Sequence, residues 1–195
     1  MIIGITGGTG SGKTTLLELI EAQGGLILDC DVIYHELLLR DTAMLRAIEK
    51  RFPGTVENGQ LSRKKLGSIV FSDEQALLDL NRITHAAVKQ EVLRHLETAP
   101  ALSAIDAIGL FEGGLAELCD VTVAVTAPEE IRIRRLMQRD GISEDYALKR
   151  IRAQRSDNWF REKCDHVLVN DRDLGAFQSK CLALLDTLGI MKENP

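Results

Sequence analysis

The chain has 195 residues, 45% of them hydrophobic and 27% charged, with 16 glycines and four prolines. These proportions exclude a disordered chain, a collagen and a disulfide scaffold, and the length fits one domain with a small insertion. The net charge of −5 at pH 7 argues against a protein that binds nucleic acids through their phosphate backbone. Any site for an anion must therefore be local.

The sequence carries no signal typical of export, membrane insertion or a structural zinc site. Its four cysteines form no C-x-x-C pair. The apolar start lacks a preceding basic segment, and no run of about 18 apolar residues follows. We therefore expect a cytoplasmic protein whose partners are small molecules, without a nucleic acid, a membrane or an obligate protein partner.

Short apolar runs alternate with longer stretches of helical spacing, which indicates βαβ units around a parallel sheet. The runs predict five buried strands, at Ile2–Thr6, Leu26–Asp29, Ser103–Leu110, Val121–Thr126 and His166–Val169. The stretches predict helices at Lys13–Gln23, Ile33–Arg51, Arg63–Ile69, Glu74–Thr98, Pro128–Arg139, Ser143–Arg155 and Leu174–Leu188. The result is an α/β fold with three layers, α/β/α, in a single domain over residues 1–195.

Two segments depart from the simple alternation. Residues 33–100 are too long for one crossover and are predicted as a helical insertion without a strand, packed beside the sheet. Residues 128–155 form two helices around Asp140-Gly141 and are predicted as a helical lid. Residues 191–195 are predicted as a frayed tail.

The strongest motif is Gly7–Thr14, here called the P-loop, which matches G-x-x-x-x-G-K-[ST] between a predicted strand and a predicted helix. Glycines let backbone N–H groups converge on an anion, and the following helix points its positive end at the same place. We therefore expect a nucleoside triphosphate here, with Lys13 on its β- and γ-phosphates and the Thr14 hydroxyl on Mg²⁺. The expected contacts come from Gly8, Thr9, Gly10, Ser11, Gly12, Lys13, Thr14 and Thr15.

A pair of acidic residues, Asp29 and Asp31, follows the second strand. In an extended segment they would share a face at the carboxyl edge of the sheet, where the phosphates also lie. A carboxylate there could accept the proton of a hydroxyl that attacks the γ-phosphate. A solvated strand end or a helix N-cap explains Asp31 equally well on the sequence alone.

Arginines recur at helical spacing in the predicted lid, with Arg132, Arg135 and Arg139 on one face. Arginines on a closing lid can neutralise the charge that phosphoryl transfer spreads over the equatorial oxygens. An ordinary solvated cationic face is the alternative for each of them.

Taken together, these motifs resemble the dephospho-coenzyme A kinases, which are P-loop kinases, over nearly the whole chain. The matching segments are Thr6–Thr14, Leu28–Asp31, Asn58–Arg63, Leu110–Glu112, Arg135–Asp140, Ala153–Gln154 and Cys164–Asn170. The resemblance implies a P-loop kinase fold and ATP-dependent phosphorylation of the ribose 3′-hydroxyl of dephospho-CoA, the last step of CoA biosynthesis. ATP and Mg²⁺ are the implied cofactors.

The resemblance also implies roles for single residues. Asp31 corresponds to the general base, with Lys13, Arg135 and Arg139 as the other catalytic groups. Arg63, His85 and Glu112 correspond to the substrate side together with Asp31, and Asn170 to the adenine side. The chain departs from the family pattern at Thr9, Ala86, Ile108-Gly109 and Arg132, the last standing where a glutamine is common.

Several alternatives stay open on the sequence. Asp106–Gly109 matches D-x-x-G and Asn170–Asp173 faintly resembles N-K-x-D, which would suit a nucleotide-dependent switch. Another P-loop kinase, of the nucleoside kinase type, would use the same loop, aspartate and lid. His85 could be a structural histidine, and Glu112 could act on metal, on substrate or on structure.

Overall fold

The computed structural model describes residues 1–191 and has the predicted α/β architecture. Its strands are β1 (Ile2–Thr6), β2 (Leu26–Asp29), β3 (Val56–Glu57), β4 (Gln60–Leu61), β5 (Ser103–Asp106), β6 (Val121–Thr126) and β7 (His166–Val169). Its α-helices are α1 (Lys13–Ala22), α2 (Cys30–Arg40), α3 (Thr42–Arg51), α4 (Arg63–Val70), α5 (Glu74–Leu96), α6 (Glu129–Asp140), α7 (Glu144–Arg152), α8 (Asp157–Lys163) and α9 (Leu174–Thr187). Residues 192–195, within the segment predicted as a frayed tail, lie outside the described range.

Five parallel strands form the central sheet in the order β2-β5-β1-β6-β7, which confirms the prediction of a five-stranded parallel sheet. The register sets Asp106 beside Ile5 of β1 on one side and Asp29 of β2 on the other. The third predicted strand, Ser103–Leu110, was drawn too long, because the chain leaves the sheet after Asp106. The carboxyl ends of β1, β2 and β5 therefore meet at one edge.

Helices cover both faces of the sheet, as the three-layer prediction required. Successive residues of β5 show the division, since Ala104 packs with α1 and α9 while Ile105 packs with the helices of the 33–100 region. Both strand residues are fully buried. Such runs are apolar on both sides because neither face meets water.

The predicted insertion over residues 33–100 is helical, but two details of the prediction were wrong. The predicted helix Ile33–Arg51 is two helices, because the Asp41 side chain accepts hydrogen bonds from the Ala43 and Met44 amides and starts α3 anew. The region also contains a strand pair, β3–β4, whose turn at Asn58-Gly59 has positive φ at both residues. Asn-Gly is the dipeptide that such a hairpin turn favours.

Helices α6 and α7 occupy the predicted lid and pack on each other through Leu136, Ala147 and Ile151. Helix α6 begins at Glu129, separated from the sheet strand β6 by Ala127 and Pro128, and its first turns lie over the P-loop. Among residues 1–191, no helix has both the length and the apolar character needed to cross a membrane.

Candidate active site

The P-loop joins β1 to α1 and lines a cavity of about 490 Å³, here called the P-loop cavity. Residues Gly8 to Thr14 line it, whereas Thr15 is not among the lining residues. Gly12, at the start of α1, has φ 96°, and a Cβ added there would lie 2.3 Å from the Asn170 Nδ2 atom. Only glycine satisfies both the left-handed backbone and the close approach.

Side chains from outside the loop hold its backbone carbonyls. Arg135 Nη1 donates to the Gly10 and Ser11 oxygens at 3.2 and 3.1 Å. Asn170 Nδ2 donates to the Ser11 oxygen at 2.9 Å, and Asn170 Oδ1 accepts from Arg135 Nη2. Asn170 is buried behind these residues and does not itself line the P-loop cavity, so its predicted contact with the adenine stays a prediction.

Lys13 and Asp106 meet at the floor of the P-loop cavity. The Lys13 ammonium lies 3.9 Å from Asp106 Oδ1 and 3.4 Å from the Gly7 oxygen. Asp106 Oδ1 is buried and has no hydrogen-bond partner among residues 1–191. Burial raises the pKa of Asp106 to about 6; Lys13 opposes that rise, and Asp29 and Asp31 add to it. A further positive charge beside Asp106 would therefore stabilise its ionised form.

Asp31 lies in the first turn of α2 and is exposed. The expectation that Asp29 and Asp31 share the face of an extended segment was wrong, because α2 begins at Cys30. Asp29 is the N-cap, and its side chain accepts from the Asp31 and Val32 amides at 2.9 and 3.0 Å. The Asp31 carboxylate is thereby left without a capping role.

A second cavity, of about 260 Å³, adjoins the first and is here called the α5 cavity. Its walls are mainly apolar and come from α2, α5 and the loop after β5, including Tyr34, Leu80, Val88 and Leu115. His85 of α5, which the family resemblance placed on the substrate side, lines this cavity, and its contact with substrate stays a prediction. Asp31 lines both cavities, so it stands where they join.

Two of the predicted substrate-side residues lie outside both cavity walls. Arg63 is exposed, and its Nη2 lies 3.3 Å from His35 Nδ1. Glu112 follows β5 and accepts a hydrogen bond from Arg155 Nε at 2.9 Å. Their predicted contacts with substrate stay predictions, and the ion pair shows that Glu112 joins the loop after β5 to the segment before α8.

The lid supplies three arginines to the P-loop cavity, Arg135, Arg139 and Arg150. Arg139 donates to both oxygens of Asp140, at 2.7 and 3.1 Å, and Arg150 donates to Asp140 Oδ2 at 2.6 Å. The hydrogen bond from Arg139 is the main reason that the pKa of Asp140 falls to about 2. One carboxylate thus holds two guanidinium groups at the cavity mouth.

The place of Asp106 in this site was not predicted, since the sequence singled out this residue only as the first position of a D-x-x-G match. The available signal was its position at the carboxyl end of a buried parallel strand, the edge where ligands bind in open α/β sheets. Among residues 1–191, no group of three or more histidine, cysteine or acidic side chains is arranged to hold a metal ion.

Comparison with known proteins gives consistent matches. Residues 1–175 match the family model described as dephospho-CoA kinase. The dephospho-CoA kinase of Bacillus licheniformis is 34% identical over 193 residues, which cover 96% of each chain. A solved structure from Thermus thermophilus has a TM-score of 0.82 at 32% identity and covers 99% of this chain and 98% of its own. A dephospho-CoA kinase structure from Campylobacter jejuni has a TM-score of 0.67 at 25% identity, with 97% and 98% coverage.

Proposed function

Because the chain belongs to the dephospho-CoA kinase family, it is an ATP-dependent phosphotransferase that acts on dephospho-CoA, and we propose that Asp31 and Lys13 carry the transfer. The γ-phosphoryl group of ATP moves to the ribose 3′-hydroxyl, which gives CoA and ADP. The observation that carries this proposal is the position of Asp31, on the shared wall of the P-loop cavity and the α5 cavity.

The triphosphate binds in the P-loop cavity. Residues Gly8, Thr9, Gly10, Ser11, Gly12 and Thr14 line it, and α1 directs its N-terminus there. Lys13 projects into the same cavity and neutralises charge on the transferring group. Arg139 and Arg150 exchange Asp140 for phosphate oxygens when the nucleotide is bound, because the oxygens offer the same bidentate partner. Arg135, which lines the cavity while holding the loop, completes the cationic surround.

The acceptor ribose binds on the other side of Asp31. The Asp31 carboxylate accepts the proton of the 3′-hydroxyl as the new phosphorus–oxygen bond forms and the bond to the β-phosphate oxygen of ADP breaks. The exposure of Asp31 and its freedom from capping leave this carboxylate available. Ionised carboxylates accept hydrogen bonds only, which suits them to orient a hydroxyl before transfer.

The residues present also fit a magnesium ion. Asp106 Oδ1 is a buried oxygen to which no group in the described part of the chain donates a hydrogen bond, and oxygen ligands are what Mg²⁺ requires. Thr14 and Asp106 would hold the ion, in the arrangement general to P-loop enzymes. When bound, Mg²⁺ withdraws negative charge from the β- and γ-phosphate oxygens.

The α5 cavity receives the part of dephospho-CoA beyond the ribose. Its mainly apolar wall, with Asn81, Thr84 and His85 as polar points, suits the uncharged adenine and pantetheine parts of the ligand rather than the diphosphate on the same ribose. Arg63 and Glu112, which lie outside the wall of this cavity, would contact the substrate at its flanks. The substrate then spans α5 and the loop after β5.

A coupled assay of ADP release tests the proposal. We expect turnover with dephospho-CoA and ATP in the presence of Mg²⁺, and little turnover with a panel of nucleosides as acceptors. GTP in place of ATP should support a lower rate. Equal rates with nucleosides would favour the nucleoside kinase alternative, and ADP release that no acceptor stimulates would favour a switch.

A further inference from the structure

A buried arginine lies against the outer side of the P-loop. Arg132 of α6 is only 5% exposed. Its Nε donates to the Thr9 oxygen at 2.8 Å, and its Nη2 donates to Gln154 Oε1 at 3.0 Å. Gln154 lies just beyond the end of α7, so the arginine connects the P-loop with the last residues of the predicted lid.

The contacts close into a ring. The same Gln154 oxygen that accepts from Arg132 also accepts from the Thr9 amide at 2.8 Å. Both the N–H and the C=O of Thr9 are therefore held by side chains, and we call these three residues the Thr9 ring. A peptide unit held at both its amide and its carbonyl has little freedom to rotate.

The packing around the ring is equally close. A Cβ added at Gly8 would lie 2.1 Å from Arg132 Nη2, and one added at Gly10 would lie 3.0 Å from the Arg132 backbone oxygen. The two glycines thus admit α6 directly against the loop. Any displacement of Arg132 must be felt by the loop, because no space separates them.

Burial of this cation has a cost. It lowers the pKa of Arg132, although Asp157 and Glu129 act in the opposite direction. A buried guanidinium is tolerated where its N–H groups find acceptors. Here the acceptors are the Thr9 oxygen and Gln154 Oε1, which also accepts from the Thr9 amide. The hydrogen bonds of the buried cation therefore stabilise the loop.

We propose that Arg132 and Gln154 are positioning residues for the triphosphate. They fix the Thr9 peptide so that the loop keeps its shape around the phosphates, and they make that shape depend on the position of the end of the lid. Neither residue lines the P-loop cavity, so both act through the loop. This inference rests on the proposed use of the P-loop cavity as the ATP site.

Removal of the ring donors or acceptor should weaken nucleotide binding. We expect Arg132→Met and Gln154→Met each to raise the dissociation constants for ATP and ADP by about 10-fold to 100-fold, measured by isothermal titration calorimetry. The KM for ATP should rise with them, while the KM for dephospho-CoA should change far less. The dissociation constants of the double variant should lie within a small factor of those of the single variants. The reason is that each single substitution already breaks the same ring.

Conservative variants separate positioning from packing and from charge. Gln154→Glu retains an acceptor for both donors and should keep nucleotide affinity close to that of the parent, whereas Gln154→Met, of similar size, should not. Arg132→Lys keeps the charge but cannot reproduce the fork, so its affinity should fall. Affinity retained in Arg132→Lys would overturn the ring in favour of a simple charge effect.

Arg134→Met is the matched control, since Arg134 lies on the same helix and is exposed. It should bind ATP and ADP as the parent does. Ring variants that melt at lower temperature yet keep the parent's nucleotide affinity would overturn the proposal, because the ring would then serve folding alone. If the parent chain itself bound neither ATP nor ADP, the proposed function would fail rather than the ring.

Discussion

The two sides of Asp31 are built differently. On the nucleotide side, the carbonyls of Thr9, Gly10 and Ser11 each accept a hydrogen bond from a side chain outside the loop. On the other side, Asp31 and His85 make no side-chain hydrogen bond or ion pair among residues 1–191, and the α5 cavity is mainly apolar. The nucleotide half is therefore organised before its ligand arrives, whereas the acceptor half offers shape and leaves the Asp31 and His85 side chains free for substrate.

The largest effect should come from the group that divides the two halves. Asp31→Asn removes the proton acceptor but changes neither the P-loop nor the Asp29 cap, so kcat should fall by about 10²-fold to 10⁴-fold. The dissociation constant for ATP should stay within a small factor of the parent's. Turnover by rapid quench and binding by calorimetry test the two expectations separately.

Asp186→Asn serves as the control for that experiment, because Asp186 is an exposed acid on α9 that lines neither cavity. Its turnover should match the parent's. Turnover in Asp31→Asn close to that of Asp186→Asn would exclude Asp31 as the base and move the chemistry entirely to the nucleotide half.

Substitution of Asp106 tests whether this residue holds a metal ion in the nucleotide half. Asp106→Asn exchanges a buried carboxylate oxygen for a weaker metal ligand, so the Mg²⁺ concentration for half-maximal rate should rise at least about tenfold. Saturating Mg²⁺ should restore part of the rate. An unchanged Mg²⁺ dependence would contradict the assignment of Asp106 to the metal.

The same substitution, which should impair catalysis, should make the ligand-free protein more stable. Burial raises the pKa of Asp106 to about 6, so the folded protein binds this proton more tightly than the unfolded chain does. Stability from this group is complete at low pH and is lost as pH rises from about 4 to about 6. Asp106→Asn escapes that loss and should be more stable than the parent at pH 7.5, by roughly 1–3 kcal/mol.

Thermal melts of the ligand-free proteins at several pH values check this sign. The advantage of Asp106→Asn should shrink as pH falls from 6 to 4, where the parent's carboxyl becomes protonated. A variant less stable than the parent at pH 7.5 would show that the attraction between Asp106 and Lys13, 3.9 Å apart, outweighs the burial of the charge.

The contrast between the halves also decides how much the sequence could predict. The P-loop was predictable because its function depends on eight consecutive residues and the flanking strand and helix. Four strands have the predicted bounds because buried parallel strands are continuous apolar runs. The hairpin at Asn58-Gly59 was missed since strands of two residues leave no periodic signal.

Contacts across long sequence separations explain the remaining omissions. Asp106 reaches the P-loop only through the register that pairs it with Ile5, and Gln154 reaches Thr9 from 145 residues away. From the sequence, Arg132 was identified only as a member of a cationic helix face and as a departure from the family pattern. Its burial depends on how α6 packs on the loop, which no local pattern encodes.

The smallest effect should come from the link behind the acceptor half. Glu112 pairs with Arg155, and the Arg155 guanidinium lies 5.2 Å from the centre of the Trp159 ring, which contacts Phe111 edge-on. This link fixes the loop after β5, which lines the α5 cavity. Because the ion pair is largely exposed, Arg155→Met should raise the KM for dephospho-CoA only about twofold to fivefold and leave the KM for ATP unchanged.

Arg51→Met is a matched control for this link, since Arg51 pairs with Asp79 at 2.7 Å and lies 4.8 Å from the centre of the Phe52 ring. It should leave both KM values unchanged. Glu112→Gln then distinguishes a loop anchor from a direct contact with substrate. An anchor gives the same KM change as Arg155→Met, because either substitution breaks the same pair. A direct contact gives a larger KM change in Glu112→Gln, since the substrate loses a partner that Arg155 cannot replace. Because Arg155 already holds Glu112 in the free protein, the acceptor half would then be more preorganised than its free side chains indicate.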